Sequence, residues 1–325
     1  MLKRNQSAWY ENKRVLITGA DGFIGAHLAA ELVARGARVF AAVRNISHTW
    51  RLDTIRSQIS MLEGDLTHIE DARAIIEQSQ PDIIFNAAST TDTSRLLDVL
   101  ESVVENTYGI LRATLTAARE NKVERFIQFG SIEEYGLAKV PLTEDMRALP
   151  MSPYSLGKLM ATETALLFAR AGDMHISVVR PAATFGPQQT FHMLIPSIIK
   201  AALEKMDFDM NKGEQLRDFI FVDDLVAGVL AVGSSERSCG EIFNLGSGTP
   251  TLVKDVANIV NDALGHPITI NFGAQPYREN DSTEFYMDSS KAKKLLGWEA
   301  KTELRNAIQK TVAWYSNANN ARRLS

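Results

Sequence analysis

Apolar runs and helix-period stretches alternate through the first half of this 325-residue chain. Short runs rich in Val, Ile, Leu and Phe occupy residues 14–18, 38–43, 82–86, 125–130 and 176–180. Their nearly continuous apolarity predicts strands covered on both faces. Between them, residues 23–35, 69–78, 96–121 and 153–171 repeat apolar positions at three- and four-residue spacing, which predicts helices. Strands alternating with helices pair in parallel, because each parallel pairing needs a crossover connection. The predicted fold class is α/β, a doubly wound parallel sheet with helices on both faces.

After Arg180 the texture changes. Pro181, Pro187 and Pro196 interrupt it, and the elements become short and less regular. This predicts a smaller lobe. Phe219-Ile220-Phe221-Val222 and Ile242-Phe243-Asn244-Leu245 read as strands returning to the main sheet, so the two lobes are expected to interleave. The expected division is residues 1–180 plus about 218–249 in one domain, and about 181–217 plus 250–317 in the other. Residues 318–325 are polar and read as a frayed tail.

In open sheets of this kind ligands bind beyond the carboxyl ends of the strands. Gly19, Arg44, Asn86 and Ser131 all fall at such ends. The segment Gly19-Ala20-Asp21-Gly22-Phe23-Ile24-Gly25 lies between the first predicted strand and the first predicted helix. Glycines there let the backbone turn tightly and approach a pyrophosphate, whose charge then faces the N–H groups of a helix start. The first domain thus reads as a Rossmann-type dinucleotide-binding unit. Tyr154 and Lys158 sit four residues apart, on one helix face. An ammonium near a phenol favours the phenolate, so the pairing is expected to lower the tyrosine pKa toward working pH. Ser152-Pro153 provides an N-cap followed by proline at the first helical position. Together these features point to hydride and proton transfer.

Composition narrows the picture. A net charge of −4 gives no general attraction to nucleic acid or an anionic membrane. One cysteine, Cys239, excludes an internal disulfide framework and fits a reducing compartment. Six histidines and that cysteine show no metal-ligand spacing; His192 reads as an ordinary loop residue. No stretch approaches the ~20 apolar residues of a spanning helix. The expectation is a cytoplasmic enzyme with no metal.

These motifs resemble an extended short-chain dehydrogenase/reductase of the nucleotide-sugar epimerase, dehydratase and reductase group. The resemblance runs from about Lys13 to about Trp314. It is carried by the glycine loop, by Ser131 four residues before Tyr135-Gly136, and by the Tyr154/Lys158 pair. The runs from Arg217 to Asp224 and from Asp288 to Trp298 resemble the group's sugar-nucleotide lobe. The resemblance implies that Tyr154 exchanges the proton, that Lys158 tunes it and holds the nicotinamide ribose, and that Ser131 hydrogen-bonds the reacting oxygen. It places Asp65, Leu66, Asn86, Ala87 and Ala88 along the cofactor. It implies that Arg217 and Arg278 grip the substrate pyrophosphate, a task suited to an arginine fork. Many members carry an Asn where this chain has Ala183, with Thr184 as a partial replacement. The resemblance also implies a homodimer, through a four-helix bundle of segments 96–121 and 153–171.

Cofactor and reaction are read from three further positions. NAD enzymes usually end the second strand with an acidic residue that bonds the ribose hydroxyls; here Val43 stands there and Arg44 follows. A carboxylate repels a 2′-phosphate and an arginine attracts it, so NADP(H) is favoured and NAD(H) remains possible. A dehydratase follows its Ser or Thr with an acid or hydroxyl residue and then a Glu, whereas this chain has Ile132 and then Glu133. The favoured reading is an NADPH-dependent reductase of a nucleotide-linked 4-keto-6-deoxyhexose, with Tyr154 as proton donor. The alternatives are a 4,6-dehydratase or a 4-epimerase with tightly bound NAD(P), and, outside catalysis, an NADP-binding sensor.

Overall fold

The computed structural model describes residues 6–90, 92, 94–172, 174–277 and 282–317. Seven strands form its main sheet: β1 (Arg14–Thr18), β2 (Arg38–Val43), β3 (Ile59–Glu63), β4 (Ile83–Asn86), β5 (Arg125–Phe129), β6 (His175–Pro181) and β7 (Ile242–Leu245). Their spatial order is β7-β6-β5-β4-β1-β2-β3, and every pairing is parallel. The crossovers are α1 (Phe23–Ala34), two 3₁₀ turns (Ile46–His48 and Trp50–Gln58) between β2 and β3, α2 (Ile69–Ser79), a long segment ending in α3 (Ile110–Glu120), α4 (Pro153–Ala171) and α5 (Val222–Ser234).

The apolar pattern explains the two-sided cover. Successive side chains of a strand point to opposite faces. Val15 and Ile17 join one buried cluster, with Leu28 and Leu32 of α1 and Leu225 and Val229 of α5. Leu16 joins the other, with Ile75 and Ile76 of α2, Leu111 and Leu115 of α3, and Ala161 and Ala165 of α4. Val15, Leu16 and Ile17 are all fully buried, which is why the strand shows no alternation. Truncating Leu16 to alanine would cost about 2–5 kcal/mol, the usual range for a packed core leucine.

The strand order reverses between β1 and β4, which feed α1 on one face of the sheet and α3 on the other. Such a reversal opens a crevice at the carboxyl ends of the two strands. The glycine segment follows β1 there, and Ala87 and Ala88 follow β4.

The predicted strand at 219–222 belongs elsewhere. Leu216–Phe221 lies in a separate four-stranded sheet, pairing with Pro250–Leu252, Glu284–Phe285 and Ala183–Phe185, and Val222 already starts α5. Strand β7 does return to the main sheet, beside β6. A further parallel pair joins Phe208–Met210 to Ile270–Phe272. The helix expected over 96–121 is broken into a 3₁₀ turn Leu97–Val99, an α-helical turn Leu100–Val104, a π-helical turn Glu105–Gly109 and then α3. Next to that widened turn, the Asn106 carbonyl accepts the Thr90 N–H at 3.2 Å, while Thr107 packs against Gly157 of α4. Among the described residues no helix is long and apolar enough to cross a membrane.

Candidate active site

The crevice opens into one cleft of about 1470 Å³ that runs from the glycine loop past Tyr154 to the second sheet. Its cofactor end is built from the turn after β1. Gly19 has φ +63°, and a Cβ there would lie 2.8 Å from the Ala88 Cα. A Cβ on Gly25 would lie 2.2 Å from the Gly19 carbonyl oxygen. No side chain caps α1, whose N-cap is Gly22. This is a cradle in which bare backbone and a helix start meet the cleft, and it suits the pyrophosphate of a dinucleotide. Gly19, Asp21, Gly22, Phe23, Ile24, Gly25, Arg44, Leu66, Ala87 and Ala88 all line it.

Two predicted cofactor residues are also tied into the protein itself. Asn86 is buried (1% exposed) and bonds within the sheet. It accepts from the Thr18 hydroxyl at 2.8 Å and donates to Gln128 Oε1 at 2.8 Å. The Asp65 carboxylate accepts from the Thr67 N–H and hydroxyl at 3.0 and 2.9 Å, an arrangement that holds its pKa low. Arg44 is exposed at the end of β2, and its guanidinium donates to Asn106 Oδ1 at 3.2 Å.

The catalytic end is positioned by α4 and by the turn after β5. Ser152 caps α4, its hydroxyl accepting the Ser155 N–H at 3.1 Å, and Pro153 is the first helical residue. The helix therefore starts at a fixed place, one residue before Tyr154. Ser131 caps the short turn Ile132–Tyr135, accepting the Glu133 N–H at 3.1 Å, and its side chain also hydrogen-bonds Tyr154. Lys158 is 4% exposed, donates to the Phe129 carbonyl at 3.0 Å and lies 5.7 Å from the centre of the Tyr154 ring. A buried polar chain thus crosses the strand ends, from Thr18 through Asn86 and Gln128 to the Phe129 carbonyl, where it meets Lys158. Sequence reasoning missed Gln128; its signal was a polar residue inside an otherwise apolar strand.

The expected lowering of the tyrosine pKa is not what this geometry gives. Burial pushes the Tyr154 phenol up to about 12, partly offset by the Ser131 hydrogen bond, and Glu133 and Glu134 push the same way as burial. Burial also brings Lys158 down to about 8, against the opposing pull of Glu134. The lysine donates to a main-chain carbonyl, which engages part of its charge.

The substrate end is lined by Thr184 and Arg217, and by His192, which sequence reasoning had set aside as an ordinary loop residue. The Thr184 hydroxyl donates to the Ala182 carbonyl at 3.0 Å, and Arg217 donates to the Leu216 carbonyl at 2.8 Å. Arg278 lies outside the described residues. Ile132, 6% exposed, and Glu133 both line the cleft beside Ser131.

Known proteins agree with this architecture. Residues 15–246 match the NAD dependent epimerase/dehydratase family. A UDP-glucose 4-epimerase of Mycolicibacterium smegmatis is 29% identical over 318 residues, covering 94% of this chain and 99% of its own. A dTDP-glucose 4,6-dehydratase of Streptomyces griseus is 27% identical, covering 93% of each chain. The solved structure of an epimerase from Methanothermobacter thermautotrophicus superposes with a TM-score of 0.91 at 27% identity, covering 99% of this chain and 97% of its own. That of MoeE5 with UDP-glucose and NAD gives 0.84 at 28% identity, covering 94% and 99%. These similarities support the epimerase and dehydratase alternatives over the reductase expected first, and the MoeE5 structure holds NAD where Arg44 favoured NADP. The chain is an NAD(P)-dependent enzyme of nucleotide-sugar chemistry and belongs to the NAD dependent epimerase/dehydratase family.

Proposed function

We propose that this chain is a nucleotide-sugar 4-epimerase that retains its nicotinamide cofactor through the cycle. The observation that carries this reading is the composition of the catalytic end: Ser131, Tyr154 and Lys158 are complete, while a buried isoleucine, Ile132, occupies the position where a dehydratase needs its acid. Oxidation and re-reduction at C4 need the first three groups only. Elimination of water needs a proton donor that Ile132 cannot supply.

The bound cofactor supplies a hydride acceptor and donor. As phenolate, Tyr154 would take the proton of the C4 hydroxyl while C4 is oxidised to a ketone. The Ser131 hydroxyl holds the oxygen on which charge changes. Lys158 sets the electrostatics of the phenol from its own helix. The same tyrosine would return the proton to the C4 oxygen when the ketone is reduced again from its opposite face. No net reductant is consumed. Arg217 holds the nucleotide phosphates, and Arg44 accepts a 2′-phosphate, so NADP binds as well as NAD.

A 4,6-dehydratase is the second reading, favoured by Glu133, which lines the cleft and acts on the Tyr154 phenol. Product analysis separates the two: an epimerase gives the C4 epimer at unchanged mass, and a dehydratase gives a product lighter by one water. For the dimer we propose the face bearing Leu97, Leu156 and Leu167, exposed at 76%, 37% and 58%. Light scattering tests this, and a monomer mass at micromolar concentration would contradict it.

A further inference from the structure

The Glu134 side chain is 0% exposed beneath the Ser131 turn. One carboxylate oxygen accepts the Ser131 N–H at 2.8 Å and the Thr162 hydroxyl at 3.1 Å. The other accepts from Arg180 of β6, from Nε at 2.9 Å and from Nη2 at 2.7 Å. Arg180 is in turn stacked over the Tyr135 ring at 4.5 Å. Thr162 continues the helical face of Tyr154 and Lys158, four residues beyond the lysine. Gly130 completes the arrangement: a Cβ there would lie 2.3 Å from the Glu134 oxygen. Its φ is not in the left-handed region, so here the glycine makes room for the carboxylate.

We infer that Glu134 is a positioning residue of this site, whose buried carboxylate locks the Ser131 turn to the face of α4 that carries Tyr154 and Lys158. The inference rests on the proposed roles of those three groups. The carboxylate ties three elements together: the turn after β5, helix α4, and β6, which leads into Pro181, Ala182, Ala183 and Thr184 at the cleft wall. Arg180 makes the burial of the charge tolerable, because a buried carboxylate without a cationic partner is strongly destabilising. The charge also reaches the reacting groups. Among the described residues, those that face the phenol are Glu133 and Glu134 from the turn and Lys158 from its own helix, with Arg180 behind Glu134. Glu134 raises the pKa of both Tyr154 and Lys158.

The test is Glu134→Gln, which keeps the shape and removes the charge, with Thr162→Val as a milder partner that cuts only the link to α4. In Glu134→Gln, kcat is expected to fall by about tenfold or more with KM unchanged, since small misplacements of reacting groups are costly. Its acid limb moves to lower pH, because a negative charge near the phenol is lost and Arg180 is left uncompensated. In Thr162→Val, kcat falls several-fold and the pH profile stays in place. The phenolate absorbance of Tyr154, taken as the difference between each chain and its Tyr154→Phe counterpart, titrates at lower pH in Glu134→Gln and needs no substrate. If Glu134→Gln matches the unaltered chain in kcat, pH profile and phenol titration, losing only thermal stability, the inference is overturned. If Glu134→Gln does not fold, an unchanged kcat in Thr162→Val overturns it. An unaltered chain that binds cofactor but turns over no nucleotide sugar contradicts the proposed function instead, and the phenol titration still decides the role of Glu134.

Discussion

The Lys158 ammonium donates to the main-chain carbonyl of Phe129 at 3.0 Å, which fixes a buried cation at the end of β5. The carbonyl also accepts the Gln128 amide at 3.0 Å, so the lysine is anchored to the buried polar chain that begins at Thr18. This anchoring gives the site a measurable pH signature.

Lys158 titrates near 8 in the folded chain, against 10.5 for an ordinary lysine, because burial disfavours its charge. Between those values the unfolded state binds the extra proton, so this residue's contribution to stability rises with pH across the window. Melting temperatures of the unaltered chain and of Lys158→Met, followed from pH 7 to 10.5, are expected to diverge in slope, with the rise missing from the variant. Parallel slopes would contradict the buried, depressed lysine.

Tyr154→Phe removes the proposed proton carrier and leaves the glycine cradle untouched. Turnover is expected to fall by about a hundredfold or more, within the usual range for losing a general acid–base group. Cofactor affinity stays close to that of the unaltered chain. Comparable turnover in the variant would place the proton transfer elsewhere.

Gly25→Ala attacks the cofactor end alone. The added methyl would sit 2.2 Å from the Gly19 carbonyl oxygen, and backbone cannot swing aside as a flexible side chain can. A loss of about 1–3 kcal/mol of stability follows from overpacking of this kind. Calorimetry is expected to find cofactor binding lost, whereas binding like that of the unaltered chain would show that the pyrophosphate lies elsewhere.

Arg44→Ala addresses the cofactor form. Arg44 stands at the end of β2, exposed and lining the cleft. The substitution is expected to weaken NADP by about tenfold, a charge-assisted phosphate contact being worth on the order of 1.5 kcal/mol, and to leave NAD unchanged. Equal losses for both would mean that Arg44 only supports the adenine.

Much of this architecture could be read from the chain because its core strands are apolar throughout and their helices periodic. Strands β1 and β2 and helix α4 have the boundaries that the pattern predicts. Strand β3 was missed for a physical reason: it is an edge strand, only Leu62 of its five residues is buried, and Ser60 and Glu63 dilute the signal. The strand expected at Phe219–Val222 was assigned to the wrong sheet because the partners of the observed strand Leu216–Phe221, among them Ala183 and Pro250, are set by long-range register that a local pattern does not carry.

The structure brings Ser131, Tyr154, Lys158 and the glycines to one cleft, and the sequence could single them out because the proposed chemistry needs those residue types at that spacing. Glu134 lies three residues after Ser131, and no sequence pattern singles it out. Its importance comes from Thr162 and Arg180, which are 28 and 46 residues away in sequence. The tyrosine pKa went wrong in the same way: helical spacing placed the lysine near the phenol but could not register the burial of Lys158 or the desolvation of the phenol.

The central claim, a C4 epimerase with retained cofactor, is tested most directly by incubating the NAD- or NADP-loaded chain with UDP-glucose and related nucleotide sugars, then resolving the products by mass and proton NMR. The expected result is a C4 epimer of unchanged mass, formed without added reductant and without net change in nicotinamide absorbance. A 4-keto product lighter by one water, or turnover of a keto sugar that consumes NADPH in stoichiometric amount, would contradict it.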